Sequence, residues 1–265
     1  MRDNNNLFEI KKRVAAASKT RKITRTMELI ASSRLQRGKA RLADAQEWLR
    51  HMHEAAQYLP ESYFELPRDL ESGRRAYIVF GGTKGLSGAY GPNLMRYAKP
   101  VVSGHVVIAV GSAAGKSFPD AEISLKNDIP SPDFAGTVAR EAKALYDSKE
   151  VSMVSMVYMR GTEHVTERLL PIQRESEHVS LMIAEPSAEL LFPALYEEYV
   201  EAMVYTAYLH AFVTEQIARV SAMDGATRNA DEIIDNLQAT YNRIRQAAIT
   251  QEIISISNAI SGGGS

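Results

Sequence analysis

Residues 218–260, ARVSAMDGATRNADEIIDNLQATYNRIRQAAITQEIISISNAI, run on without a proline and with Gly225 as the only glycine. Apolar residues recur at Ala230, Ile234, Leu237, Tyr241, Ile244 and Ala248, at intervals of 4, 3, 4, 3 and 4. This is the spacing of one helix face, since a strand would alternate with a period of two. So narrow a stripe on so long a helix buries little alone and needs a partner along its length. After Ala248 the apolar positions slip by one residue to Ile249, Ile253, Ile256 and Ile260. The end of the helix is therefore expected to outrun its partner and to offer these isoleucines to an outside surface.

The partner is found at the other end of the chain. From Ile10 a single heptad register runs through Val14, Ala17, Arg21, Thr24, Glu28, Ala31, Leu35, Gly38, Leu42, Ala45, Leu49, Met52 and Ala56 to Leu59, and the first proline is Pro60. Fifty such residues would form a rod of roughly 75 Å at about 1.5 Å each. The seam is clean from Leu42 onward but polar at Arg21, Thr24 and Glu28, where Ile23, Met27 and Ile30 form a neighbouring stripe. Either this part of the helix faces different partners on different sides, or the seam shifts locally; spacing does not choose between them.

Between the ends the pattern changes. Pro60 and Pro67 bracket a polar connection; RRAYIVF (74–80) reads as a buried strand and is followed by the glycine-rich GGTKGLSGAYG. PNLMRYAKP is a brief helix, HVVIAV (105–110) a second strand, DFAGTVAREAKALYD (133–147) an amphipathic helix, VSMVSMVYM (151–159) a third strand and VTERLLPI (165–172) a fourth. Strands alternating with helices indicate a small α/β unit. Helical periodicity returns from Ser187, with Pro193 in the first two turns, where it is tolerated. The expected fold is mixed: a long antiparallel two-helix coiled coil of N- and C-terminal helices with an inserted, small Rossmann-like α/β domain. The boundaries are 1–60 and 187–260 for the helices, 74–184 for the α/β domain and 261–265 for a low-complexity tail.

Composition narrows the class. Of 265 residues, 45% are hydrophobic and 24% charged, which fits a folded chain and argues against disorder. The formal net charge of −1 is unevenly spread: residues 1–41 carry twelve Lys or Arg against Asp3, Glu9 and Glu28, a local balance of +9. With no cysteine, disulfides and thiolate metal sites are excluded and a reducing compartment is expected. No run of eighteen apolar residues exists to span a membrane, and MRDNNNLFEI matches neither a signal nor a transit peptide.

Chemistry-bearing motifs are weak. GSAAGKS (111–117) follows a strand, but only three residues separate Gly111 from Gly115, where a phosphate-cradling P-loop needs four. Gly82, Gly85 and Gly88 do not match a dinucleotide fingerprint either, and tight turns or close packing explain them equally well. Of the six histidines only His51 and His53 are close, and on a helix they face different ways, so no metal site and no cofactor is expected. The basic face of Lys11, Lys12, Arg13, Lys19, Arg21, Lys22 and Arg25 would suit nucleic-acid phosphates, but no aromatics interleave with it. A nucleotide-binding α/β protein using residues 111–117 and a basic coiled-coil nucleic-acid binder remain the alternatives to a non-catalytic structural role.

The ends carry a resemblance. Lys19-Thr20-Arg21-Lys22-Ile23-Thr24-Arg25-Thr26-Met27-Glu28-Leu29-Ile30-Ala31-Ser32-Ser33-Arg34-Leu35 is similar to the N-terminal signature of the gamma subunits of F-type ATP synthases. Ala222-Met223-Asp224-Gly225-Ala226-Thr227-Arg228-Asn229-Ala230 and residues 241–252, YNRIRQAAITQE, resemble the C-terminal signature of the same family. The middle departs: Gly82-Thr83-Lys84-Gly85-Leu86-Ser87-Gly88, with Gly91 after Tyr90, stands where the family pattern has an aspartate, a cysteine and an asparagine at the places of Thr83, Ser87 and Gly91. The chain thus looks like a divergent bacterial-type member.

The resemblance implies a rotor shaft with no bond chemistry of its own, on the cytoplasmic face of the bacterial inner membrane. It would couple ion flow through the membrane c-ring to the cycling of catalytic beta subunits, in synthesis or hydrolysis. Its partners would be the alpha and beta subunits of the catalytic hexamer, the epsilon subunit and the c-ring, with membrane association only indirect and no nucleic acid. By the same analogy Met27, Arg245, Gln246, Ile253, Ile256 and Ile260 would meet the alpha–beta ring. Lys12, Lys19, Lys22 and Arg25 would face acidic beta-subunit loops, and Glu185 and Pro186 would lie at the foot near epsilon and the c-ring.

Overall fold

The computed structural model describes residues 2–64, 73–173 and 187–262. Two compact units divide the chain, Ala31–Arg219 on the one hand and Met1–Ile30 with Val220–Ser265 on the other. Two long helices contribute to both: α1 (Arg2–Ala56) and α5 (Ala188–Gly262). Both follow from the unbroken 3.6-residue periodicity. Pro193 sits inside α5 without ending it, five residues in, where few intrahelical N–H partners are lost.

In the unit of residues 31–219 a five-stranded sheet has the order β3-β2-β1-β4-β5. Its strands are β1 (Ala76–Phe80), β2 (Val106–Val110), β3 (Ile123–Leu125), β4 (Val154–Arg160) and β5 (Glu163–Leu170). β1 to β4 pair in parallel and β5 returns antiparallel on β4. Helices cover both faces: α2 (Tyr90–Val102), the one-and-a-half-turn α3 (Ser112–Ser117) and α4 (Pro132–Asp147). A parallel sheet covered on both sides accounts for strands such as VVIAV being apolar throughout and fully buried.

Which layer each strand residue enters follows its parity. Ile78, Phe80, Ile108, Val110, Met156 and Tyr158 point into the cluster formed with α4 and with Ala45, Ala56, Val200, Val204 and Leu209 of the long helices. Tyr77, Val79, Val107, Ala109, Val157 and Met159 point the other way, against Leu94, Met95 and Ala98 of α2 and Ala114 of α3. The terminal helices are thus part of the sheet's own core, a sharing that alternation in the strands alone did not disclose. Across the helix pair, Thr206 Oγ1 donates to the Ala45 carbonyl at 3.3 Å and the rings of Trp48 and Tyr205 meet edge-on at 6.3 Å.

Strand ends differ from the sequence reading in instructive ways. β4 begins at Val154 rather than 151, and β5 begins at Glu163 and stops before Pro171 rather than at 172. The sequence reading had four strands; β3 is the missing one, because three residues, half-exposed at a sheet edge, show no alternation to read. Of GSAAGKS, Gly111 forms the turn out of β2 and the other six residues are α3. Gly111 there has φ +93, and a Cβ would sit on the Gly81 carbonyl oxygen; a Cβ at Gly82 would meet the Glu215 carboxylate of α5 at 2.8 Å. Two loops and a helix come so close that side chains are excluded.

In the unit of residues 1–30 and 220–265, α1 and α5 lie antiparallel. Thr24 and Thr227 hydroxyls share a 2.8 Å hydrogen bond, Arg21 pairs with Asp231 at 3.0 Å, and the Lys11 ammonium lies 5.5 Å from the Tyr241 ring centre. The seam read from sequence is the buried side. Ile10, Thr24, Ala230 and Ile234 are buried, and Val14, Ala17, Glu28, Leu237, Tyr241, Ile244 and Ala248 are half-buried; only Arg21 is exposed. Ile23, Met27 and Ile30 stay outside at 48%, 37% and 52% exposure. The seam does not shift; the helix has two faces.

Gly225 lies mid-helix in α5 with nothing near the place a Cβ would occupy. Gly225→Ala is therefore expected to raise the unfolding free energy by about 0.5–1 kcal/mol, whereas Gly111→Ala lowers it. Urea titrations followed by circular dichroism check both signs; a destabilised Gly225→Ala would contradict the open helical environment.

Candidate functional site

Three surfaces carry side chains that could meet a partner, and they differ in chemistry. In the unit of residues 1–30 and 220–265 the first is the exposed apolar stripe of Ile23, Met27 and Ile30, at intervals of four and three. Beside it Lys12, Lys19 and Lys22 are exposed and form no ion pair among the described residues. Arg25, expected with them, instead donates to both oxygens of Glu28 at 3.0 Å. Arg21 is likewise engaged, with Asp231. Exposed pairs of this kind contribute little stability and exchange readily.

The second surface is the far end of α5. Arg245 and Gln246 are exposed, as are Ile249 (44%), Ile253 (61%) and Ile254 (48%). The backbone of Ile256 and Ile260 is helical, but their side chains lie outside the described part, and Glu185 and Pro186 lie outside the described residues altogether. Met27 and Arg245 do not converge. In the observed pairing Lys11 lies beside Tyr241 and Thr24 beside Thr227. Met27 is thus level with the region of residue 225, about 30 Å along the helix from Arg245 at ~1.5 Å per residue. They occupy two levels of one helix pair.

The third surface, in the unit of residues 31–219, was missed by the sequence reading. Arg34, Arg37 and Arg41 follow one another on α1 at intervals of three and four, around buried Gly38 and beside Ile129, Pro130 and Phe212. Arg41 donates to the Pro130 carbonyl at 3.3 Å. None of the three forms an ion pair among the described residues. Next to them Lys84 holds Asp128 at 2.9 Å; that hydrogen bond, with the nearby Lys84 and Arg34 charges, keeps the Asp128 carboxyl below its usual range. The 3-4 spacing of these arginines is present in the sequence but lies within a general excess of basic residues over 1–41.

The glycine-rich loop after β1 is held from behind by α5. Arg219, buried, donates to the Lys84 carbonyl at 2.8 Å and to Glu215, whose side chain is 3% exposed. Burial, reinforced by the Glu215 charge, raises the hydroxyl pKa of Tyr90 and Tyr208, which stay protonated and donate to the Ala211 and Asn127 carbonyls at 3.2 Å and 2.8 Å. Among the described residues no group of His, Asp and Glu is placed to hold a metal. No described helix is long and apolar enough to cross a membrane.

The ATP synthase family model matches residues 6–262. The ATP synthase gamma chain of Ruminiclostridium cellulolyticum is 30% identical, over 95% of this chain and 97% of that one. The gamma chain of Caldanaerobacter subterraneus is 31% identical, over 94% of this chain and 97% of its own length. The chain belongs to the ATP synthase gamma-chain family. It is a non-catalytic subunit, the rotor shaft of an F-type ATP synthase. The fold agrees with a chain of the Euglena gracilis mitochondrial ATP synthase OSCP/F1/c-ring structure, with a TM-score of 0.70 at 17% identity over 98% of this chain and 95% of that one.

Two outcomes follow. Arg219→Leu leaves the Glu215 carboxylate buried without its partner and is expected to cost about 3–5 kcal/mol, while Arg219→Leu with Glu215→Leu recovers most of it. Urea unfolding read by the single tryptophan, Trp48, checks this, and an equally destabilised double variant would refute it. Burial, then the Arg160 charge, lowers the pKa of His210, and burial, then Arg75, lowers that of His105. The folded state therefore binds fewer protons than the unfolded one just below pH ~6.5, so stability is full above that pH and falls as pH drops from it. His210→Asn is expected to flatten the fall in urea midpoint between about pH 6.5 and 5.

Proposed function

We propose that the helix pair is wound as an antiparallel coiled coil that turns inside a ring of alternating alpha and beta subunits, with the α/β unit at the foot beside the epsilon subunit and the c-ring. In this reading the complex works at the cytoplasmic face of a bacterial inner membrane, touching the bilayer only through the c-ring. Torque passes along the shaft in either direction, from ion flow to ATP synthesis or from hydrolysis to pumping. The α/β unit anchors both helices because its core includes them.

The observation that carries this reading is the double-faced α1. Its seam is buried against α5, while Ile23, Met27 and Ile30 form a separate exposed stripe of modest size. A surface that must slide cannot hold one large sticky patch, since that would lock a single angle. Charges suit the same need. Lys12, Lys19 and Lys22, together with the row Arg34, Arg37 and Arg41, would meet acidic loops of the beta subunits through long-range contacts that form and break quickly. Arg245 and Gln246 would reach hydrogen-bond acceptors on a beta subunit at a second level, and Ile253, Ile256 and Ile260 would lie against an apolar collar around the tip.

Reconstitution tests this. Purified alpha and beta subunits should assemble with the chain into a complex that hydrolyses ATP. In the complete complex with its membrane c-ring, Arg245→Ala with Gln246→Ala should assemble yet lose about tenfold or more in coupled pumping, the loss of one or two charge-assisted hydrogen bonds. An alpha–beta preparation that ignores the chain would overturn the proposal, as would a double variant that pumps normally. A nucleic-acid role would instead require binding to residues 1–60 that weakens steeply with salt.

A further inference from the structure

We infer that the helix pair yields on one side only: α1 opens locally from α5 between residues 31 and 41, while the facing stretch of α5 stays fixed to the sheet. The two helices are held unequally here. Tyr208 Oη donates to the Asn127 carbonyl at 2.8 Å and Arg219 to the Lys84 carbonyl at 2.8 Å. The Ala211 carbonyl accepts from Tyr90 at 3.2 Å, and the Thr214 hydroxyl from the Gly161 amide at 3.0 Å. Residues 31–41 of α1, by contrast, make a single hydrogen bond to another element among the described residues, from Arg41 to the Pro130 carbonyl at 3.3 Å.

Apolar packing is as uneven. The core shared with the sheet receives Leu42, Ala45, Trp48, Leu49, Met52 and Ala56 of α1 but no residue from 31 to 41. Only Ala31 and Gly38 are buried in that stretch, and neither brings more than a methyl group. Few buried apolar contacts mark a segment that opens well below the free energy of global unfolding.

Three local features ease the opening further. Thr206, Leu209, Val213 and Gln216 follow one another on α5 at intervals of three, four and three, and Thr206 bonds Ala45 of α1. Gln216 is 1% exposed, yet its side-chain oxygen has no hydrogen-bond partner among the described residues. Closure therefore strips that amide of water without replacing it, and opening returns the water. A Cβ at Gly38 would come within 3.1 Å of the Phe212 ring and 3.2 Å of Val213, so a glycine stands in mid-helix, where it weakens α1. Arg34, Arg37 and Arg41, three and four apart and without an ion pair among the described residues, repel one another along the same turns. A load that reaches α1 at this level is taken up by an excursion of one helix before it displaces the other. The rotor shaft has a compliant half beside a stiff one.

Hydrogen–deuterium exchange of the full-length chain, read by mass spectrometry on peptic fragments, tests this. Amides of residues 33–41 are expected to exchange about tenfold or more faster than those of 44–52 in α1 and of 208–219 in α5. Gln216→Leu removes the unmet acceptor and should slow exchange in 33–41 about fivefold or more, leaving 44–52 unchanged. Arg37→Glu, a surface change independent of the first, turns repulsion with Arg34 and Arg41 into attraction and should slow the same amides several-fold. Slowing by either variant sustains the inference. Exchange in 33–41 as slow as in 44–52, equally fast exchange in 208–219, or exchange unmoved by every variant that folds overturns it. The chain is measured alone, so the outcome does not depend on assembly with alpha and beta subunits.

Discussion

An apolar seam on a long helix cannot be left in water, and here the only seam of matching length lies at the opposite end of the chain. That constraint organises the molecule. Each fully buried isoleucine or leucine is worth about 1.5–3 kcal/mol relative to exposure, so pairing Ile10, Val14 and Ala17 with Ile234, Leu237 and Tyr241 outweighs the entropy of bringing the termini together. Closing so long a loop costs little more than closing a short one, because the cost grows only with the logarithm of length. Everything between the helices is then free to fold as an insert, provided that its own ends meet the pair.

The insert exploits this by taking the pair into its core. Phe80 stacks on Tyr208 of α5 at 5.5 Å, and the same layer receives Ala45 and Ala56 of α1. Even-numbered residues of β1 and β2 pack toward the long helices and odd-numbered ones toward α2, so neither face of the sheet is left wet. The buried Glu215–Arg219 pair adds direction rather than much net stability, since desolvation offsets most of the attraction. What it fixes is register: Arg219 reaches the Lys84 carbonyl, and Glu215 fills the space that Gly82 vacates. A long helix keyed to the loop after β1 in this way cannot slip along its axis without exposing a charge.

Periodicity made the long helices legible almost to the residue, because burial on one side repeats over many turns. The 4-3 spacing from Ala230 to Ala248 named the inward residues, and Thr24 and Glu28 kept the seam although they are polar. Their inclusion has a local cause: Thr24 bonds Thr227 across the interface, and Glu28 turns to Arg25. Shorter features escaped. β3 is too brief to alternate, and the arginine row at 34, 37 and 41 was hidden within a general excess of basic residues. The glycine-rich loops could not be read at all from spacing, because the approach of Gly111 to Gly81 is set by two strands that meet only in the folded sheet. Met27 and Arg245 were singled out by family resemblance alone; their separation along the helix pair came from the fold.

The outer surface of the helix pair reflects a compromise between stability and motion. Leaving Ile23, Ile30, Ile233, Ile249 and Ile253 in water forgoes roughly 2 kcal/mol each relative to burial. A chain selected only for its own stability would replace them with lysine or glutamate at little cost, for they touch no core. Their spread along the helices keeps each patch small, so on the proposed reading a surrounding surface would gain a few contacts at any angle and lose few on moving to the next. On the same reading the cationic residues between them would act at longer range and guide approach without fixing it. Stability is concentrated where the helices meet the sheet, in the cluster around Phe80, Tyr208 and Leu209. The shaft surface is left with interactions weak enough to be exchanged, and strength in one place is what permits slack in the other.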